Sequence, residues 1–155
     1  MNRIRIDGAV AAPTAVSADE LRSRATDELV FDFTCLEGWC HPGTRWSGAR
    51  LTRLVEPLGP EPDAGFIEVA SGEYVATLPR EAALAGGLLA VANAGVLLDE
   101  DSGGPVRFVM AGVDCFANVK GVDRISFVMS AGGDTARTIA LGRIGQGAGT
   151  AQKPK

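Results

Sequence analysis

The chain consists of short runs in which apolar residues alternate with polar ones or follow one another, with turn residues between the runs. Runs of about four to eight such residues are typical of β-strands. We predict strands over residues 4–10, 29–34, 66–70, 74–78, 88–93, 96–98, 106–110 and 125–129, and a further short element over 119–122. Ser71, Gly72 and Glu73 separate two of these runs, so we predict a hairpin there.

A smaller number of segments carry helix signals. Ser17 precedes two acids and an apolar position, which predicts an N-cap and a short helix after it. Apolar residues at positions 51, 54, 55 and 58 have helical spacing, so we predict a helix over 48–58 that Pro57 cuts short. Pro79 predicts the first turn of another helix. Many short strands with a few short helices predict an α+β fold dominated by mixed β-sheet.

The composition is that of one globular domain. The chain has 155 residues, of which 46% are hydrophobic and 22% charged, and this length is enough for a proper core. We expect one domain over residues 1–141 and a disordered tail over 142–155, where three glycines alternate with other residues before a terminal Lys-Pro-Lys.

Charge and hydropathy exclude several classes of partner. The net charge of −4 and the scattered basic residues disfavour nucleic-acid binding, which needs a basic face. No window approaches the roughly 20 apolar residues that span a bilayer. Residues 1–8 alternate like a strand and lack the apolar block of a signal peptide. We therefore predict a cytoplasmic protein that binds neither nucleic acid nor membrane.

The three cysteines predict thiol chemistry rather than a disulfide framework. Their number is odd and no export signal accompanies them, so we expect reduced thiols, although Cys35 and Cys40 are close enough in sequence for oxidation to pair them. Cys35 directly follows the strand predicted over 29–34. A thiolate at the end of a strand can point out of the sheet toward a ligand while the backbone holds it rigidly.

An ordered series of motifs surrounds this cysteine. Residues 35–39 read Cys-x-x-Gly-Trp, and Arg45-Trp46-x-Gly48-x-x-Leu51 follows. A tyrosine hairpin ending in Leu-Pro, an apolar strand, a Gly-Pro-x-Arg element and a lysine come next. The series comprises Cys35, Gly38, Trp39, Trp46, Gly48, Leu51, Tyr74, Leu78, Pro79, Leu88, Leu89, Gly104, Pro105, Arg107 and Lys120. It resembles the sulfite-oxidase-type molybdopterin-binding oxidoreductase domain over residues 4–130.

This resemblance implies a fold, a cofactor and a site. The fold would be the mixed-sheet, sulfite-oxidase-like molybdopterin-binding fold with short helices. The cofactor would be molybdenum-molybdopterin, with Cys35 as the metal ligand, since a dithiolene-bound molybdenum prefers a soft thiolate. Arg45 and Arg107 can pair with the cofactor phosphate or an anionic substrate. Asn118 and Lys120 lie where the family holds the pterin.

The activity implied is oxygen-atom or two-electron transfer on a small molecule. The metal carries the chemistry in such an enzyme, while the protein orients the reactants. The sequence contains no haem or flavin motif, so we expect a separate electron-transfer partner.

The chain departs from the family pattern after Arg107. The expected proline is missing, and Asp114 and Cys115 occupy the place of a tyrosine-glycine pair. Ala117-Asn118 replaces a lysine-serine pair, which removes one cation that would hold phosphate. Gly121 stands where a tryptophan commonly follows the lysine.

These departures leave a second hypothesis open, in which the cofactor has been lost. His41, the only histidine, can titrate near neutrality beside Cys35. With Asp114 and Cys115 it would form an acid–base or nucleophilic site in a cofactor-free cyclase or isomerase. The corresponding structural interpretations are a loop position for His41 and core packing for Trp39 and Trp46. A third hypothesis is a non-catalytic module whose acidic loop over 99–103 engages a partner.

Overall fold

The structure, a computed structural model, describes residues 3–34, 40–113, 117–132, 134–136 and 139, without the side chains of residues 34, 40 and 41. The tail predicted over 142–155 lies outside the described residues. The described strands are β1 (Arg3–Gly8), β2 (Thr14–Ser17), β3 (Asp27–Thr34), β4 (Cys40–Arg50), β5 (Phe66–Ser71), β6 (Tyr74–Pro79), β7 (Leu88–Asn93), β8 (Val96–Leu97), β9 (Arg107–Val109) and β10 (Arg124–Val128). The described α-helices are α1 (Ala18–Ser23), α2 (Leu51–Val55) and α3 (Arg80–Gly86), and a 3-10 helix spans Glu56–Leu58.

The first sheet has the strand order β2-β1-β10-β5-β6. β1 and β10 run parallel, whereas the other neighbouring strands run antiparallel, so the sheet is mixed. β5 and β6 form the predicted hairpin, with Ser71 opposite Tyr74 at its turn.

The second sheet has the order β3-β4-β7-β8, and all its pairings are antiparallel. β8 and β9 share the edge of β7 that β4 does not occupy: β8 pairs with Ala92 and Asn93, and β9 with Leu88 to Ala90. This sheet carries the candidate site.

The two faces of β7 belong to different apolar clusters. Leu89 and Val91 face the main core, where side chains from both sheets and the helices meet. Leu88 and Ala90 face the opposite side, because successive side chains of a strand alternate. There they join the outer cluster, which comprises Phe33, Trp46, Leu88, Ala90, Leu98 and Val109.

The fold prediction is confirmed as α+β with mixed sheet and short helices. Ser17 caps α1 as predicted: its hydroxyl accepts from the Glu20 backbone N–H at 3.1 Å, and the Glu20 carboxylate accepts from the Ser17 N–H at 2.8 Å. No helix in the described part of the chain is long and apolar enough to cross a membrane.

The start of the helix predicted over 48–58 is wrong. β4 continues through Arg50, and α2 begins only at Leu51. Residues 48–50 instead pair with Leu88 to Ala90, so tertiary pairing overrides the local pattern. The approach is close, because a Cβ added to Gly48 would lie 2.0 Å from the Leu89 carbonyl oxygen.

The structure differs from the sequence predictions in two other places. β2 was not predicted, because four residues with a single strongly apolar position give little periodic signal. Residues 119–122 form no regular element. Their backbone instead bonds to the loop before β9: Gly121 N donates to Gly103 O at 2.8 Å and Val122 N to Val106 O at 3.0 Å.

Candidate active site

A buried arginine lies at the centre of the candidate site. Arg107, in β9, is only 8% exposed. Its guanidinium carbon lies 4.9 Å from the ring centre of Phe33 in β3 and 5.4 Å from that of Trp46 in β4. The two rings are themselves 5.9 Å apart at a tilt of 54°. Cations over aromatic faces are attracted by the ring electrons, more strongly where water is excluded.

The register of the second sheet brings these three side chains together. Gly48 of β4 and Arg107 of β9 pair with Ala90 of β7 from opposite sides, so one row crosses three strands. Because Gly48 has no side chain, the strands approach closely there and leave the face to Trp46 and Arg107.

Asn118 fixes the arginine from the other side. Arg107 Nε donates to the Asn118 carbonyl oxygen at 3.1 Å, and the Asn118 side-chain oxygen accepts from Met110 N at 2.7 Å. Asn118 is 3% exposed, so both bonds are shielded from water. The pairing of Phe108 N with Val119 O at 2.9 Å holds the same two segments together. The arginine is therefore oriented before any ligand arrives.

Lys120 lies beside Arg107 across a glycine. Gly103 has a φ of +97°, and a Cβ added there would lie 2.9 Å from both Arg107 Cδ and Lys120 Cγ. The stems of the two basic side chains thus flank one loop residue, with Arg107 buried and Lys120 exposed. Two neighbouring cations are a common arrangement for holding phosphate or carboxylate.

The loop that carries Gly103 has an acidic start. Asp99 Oδ1 accepts from the backbone N–H of Ser102 at 2.9 Å, and this bond holds the pKa of Asp99 below its ordinary value of 3.8. Gly104 N donates back to the Asp99 carbonyl at 2.6 Å. Asp99 therefore shapes the turn that supports Arg107 and Lys120.

One buried donor in the site has no acceptor within the described ranges. Trp46 is 2% exposed, and its Nε1 has no hydrogen-bond partner among the residues that the structure describes. Buried N–H groups are nearly always paired. The site thus presents an arginine, a lysine and an unpaired indole N–H. Such a donor-rich set fits an anionic, phosphate-bearing group such as molybdopterin.

Arg45 is separated from these residues. It neighbours Trp46 in β4, so its side chain leaves the opposite face of the sheet. There it is exposed and lines a shallow depression of about 260 Å³ with Gly43, Thr44, Asn93 and Ala94. The structure thus brings together Arg107, Asn118 and Lys120, but not Arg45.

The remaining predicted residues lie outside the described part of the chain. These are Cys35, Asp114, Cys115 and the side chain of His41, and their roles stay predictions. The backbone of His41 is described, and it pairs with Phe33 in the sheet rather than forming a loop. In the described ranges no three His, Cys, Asp or Glu side chains are close enough to hold a metal ion.

The sequence did not indicate the aromatic contacts of Arg107. Phe33 lay in a predicted strand and Trp46 was interpreted as a core aromatic, but their stacking on Arg107, which is far from both in sequence, depends on the β4–β7–β9 register. The local signal near Arg107 was Gly103, because a Gly-Gly-Pro sequence predicts a loop there.

A family model for the oxidoreductase molybdopterin binding domain matches residues 2–134 of the chain. Among curated proteins, the uncharacterized oxidoreductase YuiH of Bacillus subtilis is 27% identical over 126 residues, covering 80% of this chain and 64% of its own length. The protein-methionine-sulfoxide reductase catalytic subunit MsrP of Gluconobacter oxydans is 25% identical, covering 79% of this chain and 45% of its own. The chain thus spans about two thirds or less of these relatives.

A solved structure shows the same fold. The sulfane dehydrogenase SoxCD of Paracoccus pantotrophus superposes with a TM-score of 0.77 at 20% identity, over 84% of this chain and 39% of its own. The resemblance and the fold predicted from the sequence are therefore confirmed.

Proposed function

Because the chain belongs to the oxidoreductase molybdopterin-binding domain family, we propose that it binds a molybdopterin cofactor beside Arg107 and acts as a molybdenum-dependent oxidoreductase. The observation that carries this proposal is the pair of basic side chains, Arg107 and Lys120, whose stems flank Gly103, with Arg107 fixed by its bond to Asn118.

Each residue of the pair has a distinct role. Arg107, buried and fixed by Asn118, holds an anionic part of the cofactor in one orientation. Lys120, exposed at the rim, attracts the same group and neutralises its remaining charge. Arg45 lies on the other face, so the geometry favours Arg107 as the phosphate contact and leaves Arg45 to an anionic substrate at most.

We propose Cys35 as the protein ligand of the metal. Cys35 lies two residues after Phe33, which contacts Arg107. Covalent geometry therefore limits the distance between the Cα atoms of Cys35 and Phe33 to about 7.6 Å. Neighbouring cations favour the thiolate form that a metal needs. The bound molybdenum would supply two-electron, oxygen-atom-transfer chemistry.

The substrate class to test first is a sulfoxide. Two curated relatives at 24–25% identity are named as protein-methionine-sulfoxide reductase catalytic subunits. Reduction of a sulfoxide takes two electrons and two protons, and it releases the thioether and water. A separate electron-transfer partner would deliver the electrons, and a reduced viologen dye replaces it in the assay.

Metal analysis tests the cofactor. Protein from a host that makes molybdenum cofactor should contain close to one molybdenum per chain, and Cys35→Ser should contain none. Cys40→Ser is the matched control, because it removes a thiol five residues away, and we expect it to keep the metal. Wild-type protein without molybdenum, or Cys35→Ser with a full complement, would contradict the proposal.

A further inference from the structure

We propose that Trp46 is a ligand-binding residue: its buried indole N–H donates a hydrogen bond to the anionic group held at Arg107. This inference rests on the proposed function. It assigns a polar role to a side chain that the sequence explains equally well as core packing.

The unpaired donor is the first observation. Trp46 Nε1 is buried and has no acceptor in the described part of the chain. A donor removed from water without a new partner loses its hydration and gains nothing in return. Packing alone would favour an apolar side chain without a polar atom in the outer cluster, since a buried donor without a partner is costly. An acceptor that arrives with a ligand explains why an indole occupies the position.

The neighbouring cation is the second observation. The Arg107 guanidinium carbon lies 5.4 Å from the Trp46 ring centre, so the indole and the guanidinium, both N–H donors, are neighbours on one face of the second sheet. Phosphate, carboxylate and carbonyl oxygens accept from both donors at once.

The rigidity of the pair favours binding over accidental burial. Phe33 packs against both Trp46 and Arg107, and Asn118 anchors the guanidinium. Donors that are already oriented lose little conformational freedom when the ligand binds. A hydrogen bond from such a donor to a charged acceptor commonly changes affinity tenfold or more.

The first test measures cofactor retention. Trp46→Phe removes the N–H and keeps an aromatic ring, so we expect it to lose molybdenum at least tenfold faster than wild type during dialysis. Leu98→Ala is the control, because it removes packing from the same cluster but no donor. It should lower the melting temperature and keep the cofactor.

The second test observes the N–H directly. In protein with ¹⁵N-labelled indoles, the Trp46 resonance is the one that disappears in Trp46→Phe. We expect it to move downfield and to exchange more slowly with solvent in cofactor-loaded protein than in protein from a host without cofactor synthesis. A resonance that is unchanged on loading, with Trp46→Phe retaining molybdenum like wild type, overturns this inference alone. Wild-type protein without molybdenum overturns the proposed function and the inference together.

Discussion

The substitution Gly103→Ala tests whether the loop before β9 fixes the two basic side chains. Its new Cβ would lie 2.9 Å from Arg107 Cδ and from Lys120 Cγ, closer than unbonded carbon atoms approach. Arg107 cannot retreat easily, because its guanidinium is bound to Asn118 and stacked on two rings. We therefore expect both a loss of stability and a displaced guanidinium.

The magnitude has two parts. A residue with a side chain at a φ of +97° is strained by about 1–2 kcal/mol. Overpacking against neighbours that cannot move away costs about 1–3 kcal/mol more. Gly95→Ala separates these parts, because Gly95 also has a positive φ, of +82°, but a Cβ there has no neighbour within 4 Å. The difference between the two variants should thus be about 1–3 kcal/mol.

Urea unfolding of the cofactor-free proteins measures this difference. A Lys120→Ala background lacks Lys120 Cγ and therefore one of the two 2.9 Å collisions. Gly103→Ala should cost less stability in that background than in wild type. In the cofactor-loaded protein, Gly103→Ala should also retain less molybdenum. Equal losses for Gly103→Ala and Gly95→Ala would refute the reasoning, since they would leave only backbone strain.

Two further predictions concern stability elsewhere in the fold. Ala94, at the turn between β7 and β8, has a φ of +53°, which asparagine tolerates better than alanine. Ala94→Asn should therefore raise the free energy of unfolding by roughly 0.5–1 kcal/mol. An unchanged or lower urea midpoint would contradict this. The hydrogen bond from the Ser17 backbone N–H holds the pKa of the Glu20 carboxyl below its ordinary value of 4.5. The carboxylate therefore stabilises α1 fully above pH 4.5. This stabilisation is lost as the pH falls through the lower pKa of the folded state. Glu20→Gln should therefore destabilise the protein more at pH 7 than at pH 3, and equal losses at both pH values would rule out the linkage.

The fold was predictable where local chemistry and tertiary structure agree. Ser17 and the hairpin over residues 66–79 carry their signals within a few residues, and the structure has both. β4 was not predictable, because Gly48 and Arg50 lie in a helix-like pattern and become strand only through pairing with β7. Pairing between distant segments leaves no periodic trace in either one.

The candidate site also has features that the sequence predicts and features that depend on tertiary pairing. The resemblance implied cofactor-binding roles for Arg107, Asn118 and Lys120, and the structure places these residues together. It could not indicate that Phe33 and Trp46 enclose the guanidinium, because that contact follows from a row shared by three strands. Arg45 shows the converse: adjacency to a motif tryptophan in sequence places it on the opposite face of the strand.

The replacement of a lysine-serine pair by Ala117-Asn118 changes how the site is built rather than removing it. Ala117 is 4% exposed in the main core, so a lysine there would bury an ammonium group at high cost. The Asn118 side chain accepts from Met110 N, whereas the bond to Arg107 Nε is accepted by the backbone carbonyl oxygen, which any residue at this position offers. The chain thus has one cation fewer, and the asparagine side chain instead ties the segment that binds Arg107 to the end of β9. A fixed donor loses less freedom on binding than a mobile lysine, so under the proposed function Arg107 would offset part of the missing cation's contribution.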